Sequence, residues 1–363
     1  MPTTLYSNNS TSSEPKGPQS TTKTIKSGRT RTTKPGKTMR AIVQRSYGSA
    51  EVLKLETLDI PSIGPKEVLI EVHCAALDRG TWHLMTGTPY LIRILGFGLL
   101  RPKQLTPGLD VAGEVIAVGS HVTRFSPGDK VFGIANGAFA EYTVASEDKL
   151  VAKPADMTYE TAAAAPISGT TALEALTDVG KLQSGQKVLI VGASGGVGTY
   201  TLQLAKALGA EVTGVASASK ANLLRSLGAD HVIDYQTNYL ANSECRYDLI
   251  IDIGGRNKVS WLRRVLTPKG TLVFVGGEGG NRFTGGIGRQ VGASLMSIFL
   301  KQRLTMFIAG ESHLTIERLS GFIKSGAVQP SIGTRYSLDN LPAGMNALAV
   351  GDVRGKAVIM VRP

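Results

Sequence analysis

Cysteine is nearly absent: Cys74 and Cys245 are the only two in 363 residues. Two thiols cannot build a disulfide framework or a four-thiolate zinc site, so a reducing compartment, the cytoplasm, is the expected setting. Long apolar runs are missing too. A membrane span needs about 20 consecutive apolar residues, and the longest candidate, residues 293–309, is broken by Lys301, Gln302 and Arg303. No apolar h-region follows the N-terminus, and no secretory signal is expected. Acidic residues are scarce in one place above all. Residues 1–38 hold seven lysines and arginines against Glu14 alone, which accounts for half of the net charge of +12. That segment is rich in Ser, Thr, Pro and Gly with little to bury, and a disordered basic tail is expected. Such a tail can hold nucleic acid or an anionic surface loosely, but a merely solvated tail is the simpler expectation. Residues 39–43 read as the start of the folded part, with Met39 a candidate initiator. The Arg, Ser and scarcity of acids in the tail are compatible with a transit peptide, although no amphipathic apolar face supports one.

What remains is an ordinary globular composition, 42% hydrophobic and 19% charged, long enough for two domains. From residue 39 to about 156 the signals are short and strand-like. Residues 67–73 alternate, 113–119 end on glycine, and 126–132 are a turn feeding a strand. Residues 138–144 and 150–153 add more, giving an irregular β-barrel with one or two helices near 80–86. From about residue 158 the rhythm changes. An alanine-rich helix is expected over 159–176. Strands at 187–191, 211–216, 231–233, 247–253 and 271–275 then alternate with helices at 199–208, 220–227 and 258–266. A last strand at 304–309, a helix at 316–325 and a strand at 357–361 close the chain. Alternation of this length implies right-handed βαβ units on a doubly wound parallel sheet, an α/β fold.

Residues 185–206 carry the clearest chemical signal. The apolar run Val188–Val191 opens into Gly192, Gly195, Gly196 and Gly198, and an amphipathic helix follows. Strand, tight glycine turn and helix start together suit a pyrophosphate. Glycine lets the backbone approach the phosphates, and free N–H groups at the helix N-terminus face the negative charge. Gly195, Gly196, Val197 and Gly198 are the candidates to present them. The end of the second strand selects the nicotinamide cofactor, an acidic residue there favouring NADH. Here the chain reads Gly214-Val-Ala-Ser217-Ala-Ser219-Lys220. It offers hydroxyls and a cation but no carboxylate, so NADPH is expected over NADH.

These residues resemble the medium-chain dehydrogenase/reductases, and within them the zinc-independent quinone oxidoreductase branch that includes zeta-crystallin. The nucleotide loop fits at every spacing, from Gly185-Gln186 through Ala193-Ser194-Gly195-Gly196 and Gly198 to Gln203 and Lys206. Gly108-Leu109-Asp110, Pro127-Gly-Asp-Lys-Val-Phe-Gly133, Gly137-Ala-Phe-Ala-Glu-Tyr142 and the closing Arg354-Gly-Lys356 match outside it. The resemblance implies a GroES-like domain in two pieces, residues 39–160 and 311–363, around a Rossmann NADP-binding domain at 161–310. An active-site cleft would lie at their junction, and a homodimer is the default assembly. It also implies that Ser217, Lys220 and Tyr235 surround the 2′-phosphate. Gly254, Gly276 and Gly277 would support the cofactor's two halves, and Thr170 or Thr171 would approach the nicotinamide.

Zinc alcohol dehydrogenases of this superfamily read Gly-His-Glu where this chain has Gly108-Leu109-Asp110, and leucine cannot ligate a metal. No zinc is expected, and no zinc means no Lewis acid for simple alcohols. Acceptors that take hydride readily remain, namely quinones and α,β-unsaturated carbonyls. The candidate catalytic residues are Asp78, Arg79 and His83. His83 would donate a proton or hydrogen bond to the substrate oxygen, and Arg79 would stabilise an enolate. Quinone reductases tend to carry asparagine at Asp78 and an aromatic near His83, and the chain departs from both. Asp78 and Arg79 could instead simply pair. Trp82, Leu84, Tyr90 and Leu91, with residues 295–299, could line a hydrophobic pocket. Cys74 falls in an apolar strand and is expected in the core. Two other readings stay open: an NADP-linked alcohol or aldehyde dehydrogenase, and an NADPH-binding scaffold whose tail holds nucleic acid.

Overall fold

The structure, a computed structural model, describes residues 37–237 and 245–362. Residues 1–36 of the expected tail, and any nucleic-acid role for them, lie outside the described residues. Thr38 opens the first described strand, one residue before Met39.

The first part of the chain is strand-rich. β1 (Thr38–Gln44) and β2 (Leu53–Asp59) pair antiparallel along their whole length. β3 (Glu67–Ala76) is followed by α1 (Arg79–Thr86), then β4 (Asp110–Val118), β5 (Lys130–Ile134), β6 (Tyr142–Ser146) and β7 (Leu150–Ala152). The alanine-rich stretch is two helices, α2 (Tyr159–Ala164) and α3 (Pro166–Glu174), where one was expected. Pro166 lacks an N–H and crowds the preceding turn, so it starts a helix at its first position rather than continuing one.

The alternating part follows as β8 (Lys187–Val191), α4 (Gly196–Ala207), β9 (Glu211–Ala216), α5 (Ala221–Ser226) and β10 (His231–Asp234). It continues as β11 (Tyr247–Asp252), α6 (Val259–Arg264), β12 (Leu266–Phe274), α7 (Ile287–Met296) and β13 (Arg303–Met306). The chain closes with α8 (His313–Lys324), β14 (Ile332–Ser337), α9 (Leu341–Val350) and β15 (Lys356–Met360). Helices α7 and α9 and strand β14 were not anticipated.

Besides the two-stranded β1–β2 sheet, two larger sheets organise these elements. The strands from β8 to β13 form a six-stranded parallel sheet in the order β10-β9-β8-β11-β12-β13. That order reverses between β8 and β11, and ligands of such sheets sit beyond the strand carboxyl ends at the reversal. The other sheet runs β14-β15-β3-β4-β5-β7, with β6 on β3. Strand β15 lies antiparallel on β3, so the last strand joins the sheet of the first part of the chain. One apolar cluster runs from Cys74 and Ala112 through α2 and α3 to Ile190 and Ile251, joining the two halves. Cys74 is core, as expected; burial pushes its thiol well above the usual range.

Candidate active site

Helix α4 begins at Gly196, three residues earlier than its apolar pattern suggested, because the glycine turn itself supplies the extended cap residue, Gly195. No side chain caps this helix, which leaves its first backbone N–H groups directed outward. A Cβ on Gly198 would sit 2.3 Å from the Gly192 carbonyl, whereas one on Gly195 would meet only that oxygen, at 3.7 Å. The turn is therefore closed on its inner side and open toward the cleft.

That cleft has a volume of about 460 Å³. Gly195, Gly196 and Val197 line it, together with Lys220, Tyr235, Asp78, Arg79 and Glu278. Gly254 also lines it. The turn bearing Gly254 is braced from behind: Asp252 accepts from the Gly255 N–H and pairs with Arg289 at 2.6 Å. Lys220 donates to the Gly351 carbonyl at 2.7 Å. Burial, and then the charge of Arg354, pull its ammonium below the usual range. Ser217 and Ser219, just before it in sequence, hold their hydroxyls 3.2 Å apart, but neither they nor Gly198 line the cleft.

Several expected contacts are not brought together. Gly277 lines a second cleft, of about 470 Å³, and Gly276 lines neither; a Cβ on Gly276 would strike the Ile253 carbonyl. Thr170 and Thr171 line neither cleft, since their hydroxyls donate to the Pro166 and Ile167 carbonyls of their own helix. Ser168, one turn earlier, faces the cleft instead.

The catalytic candidates divide in the same way. Asp78 caps α1, accepting from the Thr81 N–H at 2.8 Å and its hydroxyl at 2.6 Å. It does not pair with Arg79. The Arg79 guanidinium lies over the Trp82 ring, donates to the Leu348 carbonyl and bridges to Glu278 at 2.8 Å. His83 lines the second cleft, with Trp82 and Tyr90. Its Nδ1 is 2.8 Å from the Thr88 carbonyl, and Nε2 faces Glu278 Oε1 at 3.3 Å. Carbonyl oxygen only accepts, so Nδ1 carries a proton. Leu84, Leu91 and residues 295–299 line neither cleft.

Glu278 is thus the wall between the clefts, and sequence reading missed it. Burial alone would raise its carboxyl; the His83 hydrogen bond and the Arg79 charge outweigh burial and hold it at about 2. A lone carboxylate inside Gly276-Gly277-Glu278-Gly279-Gly280, just after a strand, was the available signal.

Behind the cleft lies a second unanticipated pairing. Lys356 Nζ is 2.8 Å from Asp110 Oδ2 and 3.1 Å from Ser168 Oγ, all buried. Asp110 Oδ1 accepts from the Ile167 N–H at 2.7 Å. Burial pushes the Asp110 carboxyl up to about 6 against the pull of Lys356. The next residue back, Gly355, donates to the Ser194 carbonyl, so the returning segment is tied to the glycine turn. Leu109 packs against the main core cluster. Among the described residues, no three His, Cys, Asp or Glu gather as a metal ion would require.

Comparison with known proteins agrees with this geometry. Residues 64–155 match the alcohol dehydrogenase GroES-like domain, and residues 227–359 match the zinc-binding dehydrogenase family. A mitochondrial NAD(P)H oxidoreductase of Bos taurus is 32% identical over 91% of each chain. A chloroplastic quinone-oxidoreductase of Triphysaria versicolor is 32% identical over 89% of this chain and 99% of its own. The chain belongs to the medium-chain dehydrogenase/reductases, in the quinone oxidoreductase branch. It is an NAD(P)-dependent oxidoreductase. The solved quinone oxidoreductase of Coxiella burnetii superposes with a TM-score of 0.77 at 28% identity, covering 90% of this chain and 100% of that one. The α/β architecture of this superfamily, a GroES-like barrel beside a Rossmann sheet, is the fold expected from the sequence.

Proposed function

We propose that this oxidoreductase uses NADPH in preference to NADH and passes hydride, without zinc, to a quinone or an α,β-unsaturated carbonyl. The observation that carries the cofactor choice is the carboxylate-free end of β9. Lys220 and Tyr235 line the cleft there, with Arg354 close enough to depress Lys220. A 2′-phosphate fits such a cationic end, and an acidic residue would repel it. The N–H groups of Gly196 and Val197 take the pyrophosphate, and Ser217, Lys220 and Tyr235 the 2′-phosphate. When bound there, the cofactor supplies the hydride. Arg79 and His83, both held by Glu278, are the groups that would orient the acceptor's oxygen. Leu109 supports zinc independence, since it occupies the position where zinc enzymes place a histidine ligand.

The test is oxidation of NADPH and NADH, in parallel, by metal-stripped protein against quinones, enones and simple aldehydes. Turnover of quinones or enones with NADPH, undiminished by chelator, bears the proposal out. Turnover confined to aldehydes would move the assignment to an alcohol or aldehyde dehydrogenase. Tight NADPH binding with no turnover would favour a scaffold. Light scattering checks the homodimer we propose. A full-length fluorescent fusion checks placement: cytosolic signal fits the cytoplasmic proposal, and mitochondrial signal would align the protein with the bovine relative's name.

A further inference from the structure

Between α1 and β4 the chain forms a lip beside the second cleft. Ile94, Leu95, Phe97, Leu99 and Leu100 are all exposed on it, Leu100 at 88%. Phe283 extends the same surface, 65% exposed, because Leu91 and Tyr90 hydrogen-bond to the backbone of residues 282–283. Exposed apolar residues scattered singly need no explanation, but five within seven residues do.

The lip is built rather than loose. The Arg93 guanidinium is sandwiched between the Tyr47 and Tyr90 rings, and its Nε donates to the Gly87 carbonyl at 2.7 Å. The Tyr47 hydroxyl donates to the Phe97 and Gly98 carbonyls at 3.0 and 2.6 Å. Gly98 has φ 113°, and a Cβ there would meet the Arg101 carbonyl at 2.1 Å. Polar groups and glycine thus fix the backbone while the apolar side chains stay in water. Such an arrangement makes physical sense when something apolar covers it.

Charge decides what that is. Arg101, Lys103 and Arg282 are exposed around the apolar tip, and no Asp or Glu occurs between residues 79 and 109. A second copy docked on this face about a two-fold axis would bring cations against cations. An apolar wedge rimmed by cations matches the acyl and headgroup layers of an anionic bilayer. We propose that the 93–103 lip, with Phe283, is a peripheral docking site for anionic lipid. It would set the second cleft, lined by Tyr90, Arg93 and His83, against the bilayer as an entrance for a lipophilic acceptor. That entrance role rests on the quinone or enone reading above; the lipid binding itself does not.

The test is co-sedimentation of the full chain with phosphatidylcholine vesicles, with and without 30% phosphatidylserine, at about 0.1 M and 0.5 M salt. Wild type should partition at least about tenfold better onto the anionic vesicles and lose most of that at high salt. Leu99→Asp/Leu100→Asp should abolish partitioning, and Arg101→Ala/Lys103→Ala should weaken it several-fold. Both variants should keep the wild-type melting temperature and turnover of a water-soluble acceptor. Undiminished vesicle binding by both variants would overturn the proposal and place binding on the N-terminal basic segment. No vesicle binding by wild type, with oligomers that dissociate in Leu99→Asp/Leu100→Asp, would overturn it in favour of a second copy. Absence of quinone turnover with vesicle binding intact would fail the functional reading alone.

Discussion

Replacing Lys356 by methionine tests the electrostatics behind the cleft, because it leaves Asp110 buried without its cation. In the native protein the Asp110 carboxyl is raised from 3.8 to about 6, with burial as the leading cause. A raised folded value means that stability from this group is fully present below 3.8, falls as pH rises through about 6, and then levels off. In Lys356→Met the opposing pull of Lys356 is gone, so the carboxyl stays protonated well above pH 6. Holding it neutral then costs about 1.4 kcal/mol per pH unit. The variant's deficit relative to wild type should be small near pH 5.5 and reach about 3 kcal/mol by pH 8. That agrees with the ~3–5 kcal/mol expected when one partner of a buried pair is removed. An unfolding entropy of about 0.7 kcal/mol/K for a chain of this size converts the difference into a melting-temperature gap that widens by roughly 4 °C. Thermal melts of both proteins at pH 5.5 and 8.0 read this directly, with Asp110→Asn/Lys356→Met as the control that should show no such widening. An equal gap at the two pH values would refute the reasoning.

Three further outcomes are expected. Lys220→Ala should raise the Kd for NADPH about 10- to 100-fold while changing that for NADH little, since only the former loses a charge-assisted partner; equal effects by fluorescence titration would show the 2′-phosphate assignment to be wrong. Glu278→Gln should lower kcat/KM roughly tenfold or more, because Arg79 and His83 lose their shared anchor. Glu278 is held below its ordinary value, at about 2, so its contribution to stability is present above about pH 4.5 and lost as pH falls toward 2; acid melts of wild type should steepen in that window and those of the variant should not. Gly198→Ala places a methyl 2.3 Å from the Gly192 carbonyl and should cost both cofactor affinity and several degrees of melting temperature, whereas a variant that binds normally would mean the turn is not under this constraint.

The sequence by itself determined the local elements whose patterns are complete within a few residues. Strands β8 and β9 lie where the apolar runs put them, and the glycine turn between β8 and α4 was legible because strand, turn and helix are contiguous. The carboxylate-free end of β9 and the leucine at position 109 were likewise plain from residue identity. Strand β14 was invisible because it is a short edge strand whose partner, β15, comes later in the chain. Helix α9 went unseen because its residues are almost all apolar, with little periodicity to read.

Only the tertiary structure decided which side chains meet. Glu278 is 199 residues from Arg79, and Lys356 is 246 from Asp110. No spacing rule reaches so far, because such pairs depend on how two sheets pack across α2 and α3. Thr170, Thr171 and Asp78, by contrast, bond within three or four residues, to their own helix or its first turn. A hydroxyl or carboxylate bonds to whatever backbone donor or acceptor its element leaves closest, and that is settled by fold geometry, not by residue type.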